Sequence, residues 1–276
     1  SKIALVVRRE EDGIKRYVHL GTGNYNDQTA KLYTDMGLLT CSDPIGEDAT
    51  AVFNMLSGYS EPRKWNKLAV APIWLKDKFL MLINREAENA RQGKKARIIA
   101  KMNSLCDPKV MEALYDASAA GVKIDLIVRG ICCIKAGVPG LSENISVRSI
   151  VGNFLEHSRI FYFYNDGFED IYMGSADWMP RNLDKRVEIT FPVEDPDLKK
   201  RIKDILKIQL ADTLKAHIMQ PDGSYEKQDL RGKVKLDSQM YFAEEARKRS
   251  AKPEDADAAI SHDRVFIPIE AEESEH

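Results

Sequence analysis

The stretch HSRIFYFYNDGFEDIYMGSADWMPRN (residues 157–182) decides the fold, because it joins a hairpin pattern to a polar set suited to a ligand. The apolar segments on either side of Asp166-Gly167 predict two antiparallel strands, since this dipeptide is a tight-turn signal. His157 and Arg159 are two residues apart, so a strand that includes both would present their side chains on one face. A strand pair that only filled a core would have no use for this set.

The beginning of the chain repeats this pattern. SKIALVV (1–7) corresponds to SRIFYFY (158–164), Asp12-Gly13 corresponds to the turn at Asp166-Gly167, and GTGNYN corresponds to the exit loop GSADWMPRN. The repeat predicts two similar halves whose hairpin ends surround one shared site. Because His157 precedes the second copy, we expect this chain to be a fragment that begins directly after a matching histidine.

Composition limits the function classes. The chain has 276 residues, of which 43% are hydrophobic and 30% are charged, as in a soluble globular protein. The net charge of −2 predicts no global attraction to nucleic acid, and no apolar run reaches membrane-spanning length. The four cysteines lack metal-ligand spacing, which favours reduced thiols and a cytoplasmic location.

The middle of the chain has a βαβ pattern. Residues 96–103 and 122–130 read as strands, and residues 107–121 between them read as a helix that Asp107 caps. These connections imply a largely parallel sheet flanked by helices. A short helix is predicted over 27–36 and a long amphipathic helix over 195–217.

The side chains of the second copy suit phosphoryl chemistry. Imidazole can act as nucleophile or proton donor, and arginine pairs bidentately with phosphate oxygens. Backbone N–H groups of a Gly-Ser loop can hold an oxyanion. These properties make His157 and Arg159 candidate catalytic residues and Ser175 and Asn182 candidate ligand-loop residues. The alternative for His157 is a purely structural role, which the duplicated motif disfavours.

The duplicated motif resembles the phospholipase D superfamily. Four longer segments resemble the C-terminal half of bacterial polyphosphate kinases, a family with a phospholipase-D-like active site. These segments are RYVHLGTGNYNDQTAKLYTDMGLLT (16–40), LIVRGICC (126–133), SIVGNFLEHSRI (149–160) and MGSADWMPRNLDKRVEI (173–189). The resemblance extends from residue 1 to about residue 220.

The resemblance implies an α/β fold of two phospholipase-D-like halves, each a mixed β-sheet flanked by helices, with the first half truncated at its N-terminus. Residues 1–67 would be the remainder of the first catalytic domain, and residues 68–220 the second. Residues 221–276 form a C-terminal tail that we expect to be partly disordered or to dock elsewhere.

The resemblance also implies a reaction. ATP, with Mg²⁺, would phosphorylate a histidine, and the phosphoryl group would pass reversibly to polyphosphate. The phosphorylated histidine would fall before Ser1, and the magnesium ligands and further domains would lie upstream, outside this chain. We also expect a homo-oligomer.

Individual residues receive roles from the same resemblance. Tyr33 would contact adenine, Arg129 the nucleotide phosphates, and His157 would be the second active-site histidine. The remaining candidates, placed in a second shell around the site, are Lys2, His19 and Asn24.

Two alternatives stay open. A phospholipase-D-type phosphodiesterase requires two His-x-Lys-x4-Asp motifs, whereas the second copy here has Arg159 in place of lysine and Tyr164 in place of aspartate. That difference weakens the diesterase alternative. A fragment that lacks the upstream residues could also be a non-catalytic module that binds polyphosphate or nucleotide, and we expect the isolated fragment to be inactive.

Overall fold

The computed structural model describes residues 1–59 and 62–250. The chain divides into two compact units, Ser1–Ser238 and Gln239–His276. Most of helix α7 (Ser238–Ser250) belongs to the second unit. The predicted C-terminal tail therefore begins inside the first unit, and its residues 251–276 lie outside the described part of the chain.

The first half of the chain forms a small antiparallel sheet. Its strands are β1 (Ile3–Glu10), β2 (Gly13–Gly21) and β4 (Gly37–Thr40), with β2 in the centre. Helix α2 (Asp43–Leu56) follows this sheet and buries Ile45, Ala49 and Val52 in the same core as Val18 and Leu20 of β2. Apolar residues at helical spacing dictate this packing.

The second half forms a nine-stranded mixed sheet. Strands β6 (Arg97–Met102), β7 (Lys123–Val128) and β8 (Ile145–Ile150) are parallel, and the other neighbouring strands are antiparallel. The α/β fold is thereby confirmed, with the mixed sheet in this half and a purely antiparallel sheet in the first. In spatial order the strands are β14 (Tyr225–Lys227), β13 (Ala216–Met219), β8 (Ile145–Ile150), β7 (Lys123–Val128), β6 (Arg97–Met102), β10 (Arg159–Phe163), β11 (Asp170–Gly174), β12 (Ile189–Pro192) and β5 (Ala69–Val70).

Strand β10 separates two cores, because successive side chains of a strand point to opposite faces. Phe161 and Phe163 join the core beneath α3 (Leu75–Arg91) and α4 (Pro108–Ala119). Ile160 and Tyr162 join the core beneath α6 (Pro196–Leu210), which also holds Val18 and Leu20 of the first half. The two sequence halves therefore share one hydrophobic core.

The helix predicted over 27–36 is wrong beyond its first turn. Asn26 caps the short helix α1 (Asp27–Ala30), and the chain then enters strand β3 (Tyr33–Thr34). Strand β3 pairs in parallel with β9 (Leu155–Glu156), a partner more than 100 residues away in the sequence. A local sequence pattern carries no signal of so distant a partner.

The two repeated hairpins differ at their turns. The first closes tightly at the pair Glu10 and Gly13, as predicted. The second closes at Phe163 and Asp170, with a 3₁₀ turn at Asn165–Gly167 between them. The Asn165 N–H donates to the carboxylate of Glu86 on α3 at 2.8 Å, which anchors this longer turn to the helix.

Buried Asp48 fixes the connection between the two halves. Its carboxylate accepts the backbone N–H groups of Asn66 at 2.9 Å, Lys67 at 2.7 Å and Leu68 at 2.8 Å. We expect Asp48→Ala to lower the free energy of unfolding by about 2 kcal/mol, because three buried donors would lose their acceptor. Urea denaturation measures this, with exposed Asn54→Ala on the same helix as control. Equal stability of the two variants would contradict the conclusion that Asp48 stabilises the connection by accepting these three N–H groups.

Within the described ranges, no helix has both the length and the apolar character required to cross a bilayer.

Candidate active site

The predicted site residues gather where several strands of the large sheet end. Strands β6 and β7 are parallel and β10 is antiparallel to β6, so two C-terminal ends and one N-terminal end meet at one edge. Such edges are where α/β sheets bind ligands. Arg129 follows β7, His157 follows β9, Arg159 begins β10 and Ser175 follows β11. Strand β10 begins two residues later than predicted, so His157 itself lies outside it.

His157 stacks on Tyr33. The two rings lie 4.0 Å apart at an interplanar angle of 4°. The backbone N–H of His157 donates to the carbonyl of Thr34 at 3.0 Å, which extends the pairing of β3 with β9 by one residue. The short parallel pairing of distant segments therefore positions the imidazole against the tyrosine.

The surroundings of His157 keep its imidazole neutral. Burial, followed by the nearby cations Arg159, Lys2 and Arg129 in that order, lowers the pKa of His157 to about 3. Its Nδ1 atom is buried and has no hydrogen-bond partner among the described residues. A neutral ring with an unpartnered nitrogen can accept a proton or a phosphoryl group, whereas an imidazolium cannot.

Three hydrogen bonds hold the guanidinium group of Arg159 in place. Its Nε and Nη2 donate to the two carboxylate oxygens of Asp177 at 3.1 and 3.2 Å, and its Nη1 donates to the carbonyl of His157. Asp177 also accepts the backbone N–H of Asn103 at 2.7 Å. An arginine has five donor hydrogens, so the guanidinium positions the His157 backbone and retains donors for an anion.

Lys101 is a site residue that sequence reasoning missed. It is 2% exposed, and its Nζ donates to the Ser158 hydroxyl at 2.7 Å and lies 3.0 Å from the carboxylate of Glu156. Glu156 also accepts from Gln209 of α6 at 3.1 Å. Lys101 thus binds both neighbours of His157. The available signal was a lysine within the apolar strand RIIAKM, because a buried lysine requires a partner.

Arg129 lies half-buried at the end of β7. Its Nε donates to the carbonyl of Glu156 at 2.9 Å. Burial lowers the pKa of the Arg129 guanidinium, and the charge of Arg159 lowers it further. Arg129 therefore holds the backbone of the residue that precedes His157.

Lys2, at the start of the first repeat, lies close to the charged groups of the site. Burial lowers the pKa of its ammonium, while the carboxylate of Glu188 raises it and Arg159 lowers it. Ser175 donates its hydroxyl to Glu188 and accepts the backbone N–H of Ile189 at 3.2 Å. The structure brings the two hairpin ends together as predicted, and it places Ser175 in an internal network.

Asn182 shapes the exit loop of the second repeat. Its side-chain oxygen accepts the backbone N–H of Asp177 at 2.9 Å, which orients the residue that holds Arg159. We predicted Ser175 and Asn182 as ligand-loop residues, and the described contacts of both side chains are to the protein itself.

His19 lies near the end of β2, and Asn24 lies in the loop that follows this strand. The Nδ1 of His19 is 2.7 Å from the hydroxyl of Tyr25. A Cβ added at Gly21 would lie 3.3 Å from the His19 ring and 3.7 Å from Lys2, so both side chains lie close to the space beside Gly21. The Asn24 side chain is half-buried, and it makes no hydrogen bond within the part of the chain that the structure describes.

The site does not offer a set of magnesium ligands. Among residues 1–59 and 62–250, no group of three or more His, Cys, Asp or Glu side chains could hold a metal ion. The nearby carboxylates of Glu156, Asp177 and Glu188 already bind Lys101, Arg159 and Ser175. The donor groups of these described residues therefore do not fit a resident Mg²⁺.

Comparison with protein families gives two matches that together cover most of the chain. The family model described as polyphosphate kinase C-terminal domain 1 matches residues 1–62. The model described as polyphosphate kinase C-terminal domain 2 matches residues 68–239.

Individual relatives agree with the family models. The chain is 57% identical over 225 residues to a polyphosphate kinase of Synechocystis, covering 82% of this chain and 31% of the relative. It is 50% identical over 275 residues to a polyphosphate kinase of Lactiplantibacillus plantarum, covering 99% of this chain and 38% of the relative. The chain thus spans about a third of the length of these relatives.

A solved structure agrees in three dimensions. The crystal structure of polyphosphate kinase from Porphyromonas gingivalis superposes with a TM-score of 0.84 at 38% identity. The match covers 90% of this chain and 38% of that structure.

Proposed function

The chain belongs to the polyphosphate kinase family, and from that premise we propose that it forms the C-terminal catalytic portion of an ATP:polyphosphate phosphotransferase. The enzyme would transfer the terminal phosphate of ATP reversibly to polyphosphate. The observation that carries the proposal is the neutral, stacked imidazole of His157 among the cations Arg159, Lys2 and Arg129. A phosphate in this position would meet basic side chains from both sequence repeats.

The proposed transfer proceeds through a phosphohistidine. An imidazole nitrogen attacks the γ-phosphorus of ATP, the bond to the β-phosphate oxygen breaks, and ADP leaves. A terminal oxygen of polyphosphate then attacks the same phosphorus, and the nitrogen–phosphorus bond breaks as the new phosphoanhydride forms. We propose, from the family resemblance, that the attacking imidazole belongs to the histidine expected at the start of the first repeat, with His157 as its partner across the site.

Four residues of this chain receive roles in that transfer. Tyr33 and Arg129 bind the nucleotide, at its base and its phosphates respectively. Arg159 stabilises charge on the transferred group while it holds the His157 backbone. Neutral His157 can take a proton at Nδ1 as negative charge gathers beside it, and such positioned acid–base groups typically contribute about 10²–10⁴-fold to a rate.

We expect ligand binding to raise the pKa of His157. The depressed pKa of about 3 results from burial and neighbouring cations, and a bound phosphate dianion would offset the charge of those cations. The imidazole would then become protonated at a higher pH than in the free protein. ¹⁵N-detected NMR titration of the ring with and without ATP measures this shift, and Arg129→Gln serves as a variant with weakened binding. An unchanged His157 titration at saturating ATP would contradict the proposed position of the phosphates.

The reverse reaction tests the proposed function. The protein together with its upstream residues should form ATP from ADP and polyphosphate in the presence of Mg²⁺, as followed by luciferase luminescence. We propose that the magnesium ligands lie in those upstream residues. Hydrolysis of bis(p-nitrophenyl) phosphate without ATP formation would instead favour the phosphodiesterase alternative.

The proposal extends to the surroundings of the enzyme. Its partners would be ATP, polyphosphate, the upstream domains and further copies of the same chain. All four cysteines are unpaired in the structure, which supports a cytoplasmic location because thiols stay reduced there.

A further inference from the structure

A cavity lies on the face of the large sheet that α6 covers. Its volume is about 450 Å³, which is within the usual range of small-ligand sites. It lies between α6, the beginning of β6 and the end of β10. The cationic and aromatic side chains that line it are Lys95, Arg97, Tyr162, Tyr164, Lys203 and Lys207.

This cavity is separate from the candidate active site. Arg97 lies four residues before Lys101 in β6, so the two are about 13 Å apart along the strand. The backbone N–H of Tyr164 donates to the carbonyl of Arg97 at 3.0 Å. This hydrogen bond lies where β6 begins and β10 ends. The strand ends that carry His157 and Arg129 are at the opposite edge.

The lining has an excess of positive charge. Four cations line the cavity, whereas Glu169 is the only carboxylate among the lining residues. Glu169 binds Lys203 at 2.5 Å and accepts from the Tyr162 hydroxyl at 2.9 Å. Arg97 pairs at 2.8 Å with Asp125, outside the lining. In a chain with a net charge of −2, such a local excess attracts anions.

Two of the lysines are not committed to carboxylates. Lys207 is exposed and makes no ion pair with any described residue. The ammonium of exposed Lys95 lies 4.9 Å from the centre of the Tyr164 ring. Ammonium groups bind phosphate oxygens through charge-assisted hydrogen bonds, so both lysines are available to a phosphorylated ligand.

We propose that this cavity is a second binding site for a phosphoanhydride, and that the ligand is a segment of inorganic polyphosphate. Lys95 already covers one side of the Tyr164 ring, which favours a chain of phosphates over a stacked base. This ligand assignment rests on the proposed function. A chain held at two sites of one enzyme has a raised effective concentration at each, which would retain long products between transfer steps.

Calorimetric titration with tripolyphosphate, and separately with ATP, tests the proposal. The test variant is Lys95→Gln/Lys207→Gln, which removes two cavity cations and keeps much of their aliphatic stems. The matched control is Lys109→Gln/Arg201→Gln, which removes two exposed cations that do not line the cavity. We expect the test variant to bind tripolyphosphate about tenfold more weakly at one class of sites and the control to bind like wild type.

A third variant identifies the source of the phosphates. If Tyr164→Leu leaves tripolyphosphate binding intact, the ligand is an inorganic chain. If it abolishes a binding event seen with ATP alone, the cavity takes a nucleotide, and the polyphosphate assignment is wrong. Identical isotherms for wild type and the Lys95/Lys207 variant would overturn the site altogether. Binding is read without turnover, so absence of transfer activity would contradict the proposed function and leave this result unaffected.

Discussion

His157→Gln is expected to slow phosphoryl transfer about 10²–10⁴-fold in the protein that includes the upstream residues. Glutamine approximates the size and polarity of the side chain but cannot take a proton at neutral pH. The stack on Tyr33 at 4.0 Å and the backbone bond to Thr34 place the ring at the meeting point of the two repeats. The initial rate of ATP formation from ADP and polyphosphate measures the effect.

His19→Gln is the matched control for that substitution. His19 lies in the first repeat, and its described hydrogen bond is to Tyr25 rather than to a group that binds His157. We therefore expect its replacement to change the rate only several-fold. Thermal unfolding of both variants separates loss of chemistry from loss of fold. An undiminished rate in folded His157→Gln would contradict the role given to His157.

Lys101→Met should lower the free energy of unfolding by about 3–5 kcal/mol. Methionine fills a similar volume, but the substitution leaves the carboxylate of Glu156 buried at 7% exposure without its cation. Ser158 also loses the donor to its hydroxyl. Because Glu156 and Ser158 flank His157, we expect activity to fall at temperatures where the variant remains folded.

Two comparisons make the Lys101 prediction specific. Exposed Lys109→Met should change stability by less than about 0.5 kcal/mol. Adding Glu156→Gln to Lys101→Met should recover part of the lost stability, because the double variant no longer buries a carboxylate from which the Lys101 cation has been removed. Urea denaturation curves measure all three proteins. Equal losses of stability in Lys101→Met and Lys109→Met would contradict the conclusion that Lys101 holds Glu156 and Ser158 on either side of His157.

Local signals in the sequence predicted the elements that local chemistry determines. The Asp107 carboxylate caps α4 by accepting from Val110, and Gly121 follows that helix with a φ of +97°. Gly93 ends α3 in the same way, with a φ of +74°. Side-chain caps and left-handed glycines act within a few residues, so the sequence pattern contains the whole interaction.

Contacts between distant segments could not be predicted in this way. The sequence repeat placed Lys2 near His157, but Tyr33 stacks on His157 only because β3 pairs with β9. That short pairing has no periodicity of its own. The contacts of Lys101 with Glu156 and Ser158 likewise depend on strands that meet at one edge of the sheet. Family resemblance named Tyr33 and Arg129 without giving their contacts.

The loop residues of the second repeat show a related limit. Ser175 and Asn182 were predicted to face a ligand, and their described bonds go to Glu188 and the backbone of Asp177. A loop hydroxyl or amide can bind the loop backbone or a ligand with the same chemistry, so residue type alone cannot separate these roles.

The central claim is phosphoryl transfer through a protein histidine, and isotopic labelling tests it most directly. The protein with its upstream residues is incubated with γ-³²P-ATP and Mg²⁺, and label is followed in the protein and in polyphosphate. We predict an acid-labile, base-stable protein label that passes into lengthening polyphosphate chains when unlabelled polyphosphate is added. Absence of both the protein label and chain growth would contradict the account.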